Sequence, residues 1–391
     1  MVFRLNLWIP FGLLKQIKWP SIILVTALLF NAHVQSQTIE VNPALGERIE
    51  FVKNDKFFPV NLQITVFQPQ GPGPFPVVVL NHGKAAGNNH LQARNRAIPA
   101  TREFLKRGYV VVAPMRQGFA GSGGAAIGEG CNIEGNGQAQ SEDVTSIVKW
   151  LGSQSWADTD RMVMAGQSHG GLTTMAYSQD PHPGFKLFVN FAGGLKYTTG
   201  CQWEPALRDA YAHYGKNSKV TSIWFYGEND SYFPPQVIAP AFNAFKDAGG
   251  NGEMVAYGPF GVDAHAMFGS ADGLDIWLEK VLAKMLSAGL PTDVIAPQYG
   301  RTDGAPPATD YASISDIAAL KLANAGSETA YKTFLGKRLP RAFAIAPKAG
   351  KQNYSWGGDN PIRSASAACA KANNETCVLY AVDDAVVWEK P

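Results

Sequence analysis

A serine, a carboxylate and a histidine, far apart in the chain, stand in contexts that suit acyl transfer. The serine is Ser168, in Gly166-Gln167-Ser168-His169-Gly170-Gly171, preceded by the apolar run Met162 to Ala165 and followed by the helix-permitting Leu172 to Tyr177. A serine at the tip of a sharp strand-to-helix turn is held in an unfavourable backbone conformation that exposes its hydroxyl, and the flanking glycines are needed because side chains there would collide. Gly-x-Ser-x-Gly alone is a common string, and a glycine-rich turn with an ordinary helix-capping serine is the plain alternative. Its position between a buried strand and a helix favours the chemical reading.

A serine hydroxyl is a weak nucleophile near neutral pH, so a histidine must take its proton and an acid must hold that histidine in the useful tautomer. The order to look for is serine, acid, histidine. After the apolar run Ser222 to Tyr226 comes Gly227-Glu228-Asn229-Asp230, which makes Asp230 the candidate acid and Glu228 its rival. After Met254 to Tyr257 comes Asp263-Ala264-His265, and His265 is the only histidine beyond Asp230. Asp263 could orient His265 instead, although two residues of separation make that awkward. The oxyanion of a tetrahedral intermediate needs amide donors. One is expected from the backbone N–H of His169, which follows the nucleophile, and the second from Lys84 in Asn81-His82-Gly83-Lys84, with Gly83 and Ala85 as neighbouring alternatives. The side chains of His82 and His169 read as structural props. No metal-ligand spacing appears, and the chemistry requires no cofactor.

These residues need a frame. From Ile39 to Gln68 the sequence alternates apolar and polar, as half-buried antiparallel strands at a sheet edge would. Mostly apolar runs then recur at Val77 to Leu80, Val110 to Val112, Met162 to Ala165, Leu187 to Phe191, Ser222 to Tyr226 and Met254 to Tyr257, separated by helical spacing such as Val144 to Leu151. Runs buried on both faces and alternating with helices predict an α/β protein with a mostly parallel sheet flanked by helices. Ile276 to Leu286 closes that domain as an amphipathic helix.

At 391 residues the chain exceeds one ordinary core. Residues 1–36 read as an export signal, with Arg4, Lys15 and Lys18, the apolar Ile22 to Phe30, and small residues before a cut at Gln37. If uncleaved, the segment would make the chain a membrane partner. Residues 37–290 form the main domain, the Pro- and Gly-rich 291–310 a linker, and 311–391 a small α/β module. Within that module, helices are expected at Ile314 to Ala325 and Tyr331 to Leu335, a strand at Ala342 to Ala346, and a strand pair at Val378 to Val382 and Val386 to Trp388. Export to a periplasmic or extracellular space would let the four cysteines pair. Of three pairings, the local ones, Cys131 with Cys201 and Cys369 with Cys377, are expected. A formal net charge of +2, with Lys and Arg scattered, gives nucleic acid no binding surface.

On Asn81-His82-Gly83, Pro114 to Gly118 before Gly121-Ser122-Gly123, Gly166 to Gly171, Gly227 to Asp230 and Asp263-Ala264-His265, residues 50–290 resemble the α/β-hydrolase superfamily, in its dienelactone-hydrolase-like and secreted esterase branch. The resemblance implies the α/β-hydrolase fold, with about eight strands, and cofactor-free acyl transfer to water. Dienelactone hydrolases proper carry a cysteine where this chain has Ser168, so lactone specificity is not implied. The expected substrate is a small or polymeric carboxylic ester. A peptidase or amidase on the same three residues and a non-catalytic ligand-binding protein are the alternatives. In the terminal module, Tyr354 and Trp356 suit attachment to a substrate or envelope, against a purely stabilising appendage.

Overall fold

The computed structural model describes residues 40–128, 130–197, 199–320 and 325–389. The proposed export segment, residues 1–36, lies outside the described residues. Eight strands, β1 (Glu47–Lys53), β2 (Asn61–Phe67), β3 (Phe75–Asn81), β4 (Val110–Pro114), β5 (Ala157–Gln167), β6 (Phe185–Phe191), β7 (Ser222–Gly227) and β8 (Gly252–Tyr257), form one sheet in the order β1-β2-β4-β3-β5-β6-β7-β8. β1/β2 and β2/β4 pair antiparallel and every other pair is parallel, so β2 alone runs against the rest. The helices are α1 (Ile98–Leu105), α2 (Ile133–Leu151), α3 (His169–Tyr177), α4 (Trp203–Gly215), α5 (Pro235–Asp247) and α6 (Leu274–Ser287).

The apolar runs are explained by burial on both faces. Val78 and Leu80, Val163 and Ala165, Ile223 and Phe225 face one core with α1 and α6, whereas Val77 and Val79, Met162 and Met164 face the core on the opposite side with α2. Successive strand residues point to opposite faces, so a strand covered on both sides must be apolar throughout. The chain leaves β3 toward β4 on one side, and from β5 it builds outward on the other. A crevice opens at such a reversal, beyond the carboxyl ends of the strands, and binding sites favour it. Here the adjacent strand ends are those of β3, which leads into His82, and β5, which leads into Ser168.

A second sheet, all antiparallel, is built from β9 (Arg341–Ala346), β10 (Lys351–Trp356), β11 (Val378–Val382) and β12 (Ala385–Val386) in the order β10-β9-β11-β12, with α7 (Ala325–Leu335) and α8 (Pro361–Asn373) packed on it. β10 and α8 were not legible in the sequence, because β10 is a polar, half-buried edge strand and α8 is built mainly from alanine and serine with few large apolar residues. The helix expected at Ile314 to Ala325 is corrected. Over residues 314–320 only a 3-10 turn, Ala318–Leu320, forms. Tyr331 and Tyr311 hydroxyls donate to the Ile314 and Ala319 carbonyls, and Asp316 Oδ1 accepts from Ala319 N, so side chains take groups that a helix would use. The terminal strand expected to reach Trp388 ends at Val386.

From Val41 onward the chain forms one compact unit. The Pro- and Gly-rich stretch expected as a linker is fastened along its length. Ile295 N and Ala296 N donate to Lys106 O, Tyr109 OH donates to Pro291 O, Tyr299 is buried, and Thr302 binds Asp383 through N and Oγ1. Disulfides join Cys131 to Cys201, with Cα atoms 5.8 Å apart, and Cys369 to Cys377, 6.1 Å apart. The first ties the loop before α2 to the loop before α4. Among the described residues no helix is long and apolar enough to cross a membrane.

Candidate active site

Ser168 sits between β5 and α3 with φ 56° and ψ −123°, the strained turn that the motif requires. Its neighbours must be glycine: a Cβ on Gly166 would lie 2.1 Å from Gly170 O, and one on Gly170 would lie 2.2 Å from Asn81 O. The turn is pinned because Ser168 N donates to Phe191 O at 2.9 Å and Ser168 O accepts from Gly171 N and Gly194 N. α3 begins at His169, so the positive end of its dipole faces the serine.

The candidate base and acid meet at the ends of the next strands. His265 Nδ1 lies 3.0 Å from Asp230 Oδ2 and 3.2 Å from Oδ1, and the Asp230 carboxylate is fully buried. Asp230 Oδ1 also accepts from the N–H groups of Tyr232 and Phe233, at 2.8 and 2.9 Å. Carboxylate on Nδ1–H leaves Nε2 as the acceptor for a hydroxyl proton. Of the rival acids, Glu228 is exposed. Asp263 accepts from Ser231 Oγ and from the backbone N–H of His265, not from its ring. The Tyr232 ring lies 4.5 Å from the imidazole, and Gln167 Nε2 donates to His265 O at 2.9 Å. Gln167 was not singled out in the sequence; its place inside the serine motif, beside Ser168, was the available signal.

Ser168, His265 and Lys84 line one cavity of about 370 Å³ together with Tyr232, Arg94 and Arg96. The loop that carries Lys84 is braced from beneath. His82 Nδ1–H donates to Gly83 O at 2.7 Å, its Nε2 accepts from Arg116 N at 3.0 Å, and Gln92 Nε2 donates to Gly83 O at 2.9 Å. Gln92 Oε1 takes the N–H of Ala85 at 2.8 Å, which removes Ala85 from the alternatives for an oxyanion donor. Gly83 packs against Ser168, since a Cβ there would lie 3.2 Å from Ser168 Cβ. Neither Cys131 nor Cys201 lines this cavity.

His82 and His169 are hydrogen-bonded and buried, and His82 is braced by Arg116, a member of the Pro114 to Gly118 motif whose role the motif alone does not reveal. Wholly buried, Arg116 donates from Nε to Gln140 Oε1 at 2.7 Å and from Nη2 to His82 O at 2.8 Å. Burial pulls its pKa down to about 9, with Asp143 opposing. His169 Nε2–H donates to Asn136 Oδ1 at 2.7 Å. Burial, and next the Arg116 charge, holds both imidazoles well below the ordinary value of 6.5, so both are neutral near pH 7. The unfolded chain protonates at the ordinary value and the folded chain does not, so this stabilisation is complete above about pH 6.5 and is lost as pH falls below it. Urea midpoints measured from pH 7.5 to 5 are expected to drop, and His82→Gln and His169→Gln should each flatten that slope by about one proton. Unchanged slopes in both variants would contradict buried neutral histidines.

Among the described residues no group of three or more His, Cys, Asp or Glu is placed to hold a metal ion. The family model of the S15 X-Pro dipeptidyl-peptidases matches residues 59–223, a span that includes Ser168 and stops before Asp230 and His265. No curated protein matches the chain. Among solved structures, an esterase from Pyrococcus furiosus is 15% identical with a TM-score of 0.47, over 64% of this chain and 95% of its own. A Klebsiella pneumoniae protein assigned as a dienelactone hydrolase is 17% identical, TM-score 0.44, over 61% of this chain and 98% of its own. A puromycin-hydrolyzing peptidase from Mycobacterium tuberculosis is 19% identical, TM-score 0.48, over 66% of this chain and 42% of its own.

Proposed function

We propose that this chain, a member of the α/β-hydrolase superfamily by its sheet and its strand-turn-helix, is an exported serine hydrolase that cleaves carboxylic esters through Ser168, His265 and Asp230. The observation that carries the reading is the pairing of His265 Nδ1 with buried Asp230 while Ser168 and His265 share one cavity. Ser168 Oγ attacks the acyl carbon as its proton passes to His265 Nε2, and the N–H groups of His169 and Lys84 receive the oxyanion. The intermediate collapses, the C–O bond to the alcohol breaks, and the leaving oxygen takes the proton from His265. Water then gives a proton to His265, attacks the acyl-enzyme and restores Ser168.

The S15 match favours a second reading, a dipeptidyl-peptidase on the same residues. Such a substrate carries a protonated α-amine, which needs a carboxylate near the scissile bond. The cavity around Ser168 is instead lined by Lys84, Arg94 and Arg96, and the nearby carboxylates Glu47 and Asp359 are held by Arg94 and Arg96. Nitrophenyl esters are therefore expected to be hydrolysed with much higher kcat/KM than Gly-Pro or Ala-Pro nitroanilides. A preference for the nitroanilides would replace the ester reading with the peptidase one. The two disulfides and the apolar start of the chain support export.

A further inference from the structure

A second cavity, of about 500 Å³, adjoins the one that holds Ser168 and shares His82, Gly83, Asn95 and Gln167 with it. Its far wall comes from the second sheet. The loop leaving β10, Trp356-Gly357-Gly358-Asp359, faces Ile98, Pro99, Phe268 and Ala271 of the main sheet's surroundings across it.

That wall is fixed rather than loosely apposed. Trp356 Nε1 donates to Asp272 Oδ1 at 2.9 Å, and Lys337 Nζ lies 4.1 Å from the centre of its ring while pairing with Asp272. Asp359 binds Arg96 Nη1 at 2.5 Å and Asn42 Nδ2 at 2.8 Å, and its carbonyl accepts from Arg102. Gly357, at φ +65°, comes so close to the main domain that a Cβ on it would lie 2.1 Å from Ala271 Cβ. The polar groups of the wall are thus spent on holding it in place, and what remains facing the space is largely apolar. A mostly apolar cleft with a few fixed polar groups is what binds an organic group.

Resting on the ester reading above, we infer that this cavity is the acyl-group subsite and that the second sheet sets acyl specificity by supplying its wall. The direction follows from proton traffic. His265 delivers a proton to the leaving oxygen, so the alcohol occupies the cavity that His265 lines, and the acyl group extends the other way, past Gly83 and Gln167. The substrate class is an ester of a long or ring-bearing apolar acid. In the unaltered protein kcat/KM for nitrophenyl esters rises by about fourfold per added acyl methylene until the space is filled.

Two glycines allow the space to be reduced from opposite walls. No atom lies within 4 Å of the position of a Cβ on Gly358, and the nearest to one on Gly269 is Ala266 O at 3.8 Å; both line the cavity, and neither has positive φ. The test compares Gly358→Leu and Gly269→Leu with the parent on nitrophenyl acetate and nitrophenyl 5-phenylpentanoate. The ratio of kcat/KM for the long ester to that for acetate should fall at least tenfold in both variants. A ratio within twofold of the parent in both overturns the subsite. A parallel titration of Ser168→Ala with 5-phenylpentanoate, with and without Gly358→Leu, reads the cavity without turnover. If the parent itself cleaves no ester, saturable binding to Ser168→Ala that Gly358→Leu weakens tenfold keeps the cavity and removes the ester chemistry. Acetate cleavage with no response to acyl size removes the cavity alone.

Discussion

Ser168→Ala is expected to lower kcat for nitrophenyl esters by about 10³- to 10⁶-fold, with folding intact. The loss is large because no other hydroxyl shares the turn that aims this one at the cavity lined by His265. The fold should survive because the pins of the turn are backbone groups, Ser168 N to Phe191 O and Ser168 O from Gly171 N and Gly194 N, which alanine retains. Ser168→Gly separates chemistry from strain. It should be equally inactive, yet more stable by about 1 kcal/mol, because only glycine adopts φ 56° and ψ −123° without steric cost. Thermal unfolding of the two variants beside the parent checks this. An alanine variant with parental esterase activity would remove Ser168 from the chemistry.

Asp230→Asn is expected to reduce kcat by about 10⁴-fold. The two backbone N–H groups of Tyr232 and Phe233 both point at Oδ1, so the asparagine oxygen must stay there and its NH₂ must take the place of Oδ2, 3.0 Å from His265 Nδ1. A donor in that position forces the imidazole to carry its proton on Nε2, where it cannot receive one from Ser168. Glu228→Gln should cost little, since Glu228 is exposed. Asp263→Asn should disturb the loop that Asp263 ties to Ser231 without reversing the tautomer. Steady-state rates of the three variants rank the acids, and a smaller loss at Asp230 than at Asp263 would reassign the acid.

The sheet and the serine turn were legible because each is local. A strand covered on both faces is written as an unbroken apolar run, as in Val77 to Leu80, and the turn at Ser168 needs glycines at fixed offsets. The order of Asp230 and His265 followed from strand ends, which such runs also mark. What the sequence withheld depends on contacts between distant residues. Arg116 stands in the Pro114 to Gly118 motif, but nothing in the motif reveals a buried brace until Gln140 and the His82 carbonyl enclose it. Residues 291–310 have the composition of a tether, yet their carbonyls and N–H groups meet Lys106, Tyr109 and Asp383. Trp356 and Asp359 gain meaning only when Asp272 and Arg96 fix them beside the cavity.

Arg96 bears on how the chain is made. Its guanidinium bridges Glu47, at the first strand, to Asp359, which lies 263 positions after Arg96 itself. On the ribosome, Glu47, Arg94 and Arg96 emerge long before Asp359, so in a nascent chain Arg96 has the Glu47 carboxylate alone and the wall that carries Asp359 is still missing. A product terminated before Asp359 would keep Ser168, Asp230 and His265 while lacking one wall of the cavity that adjoins them.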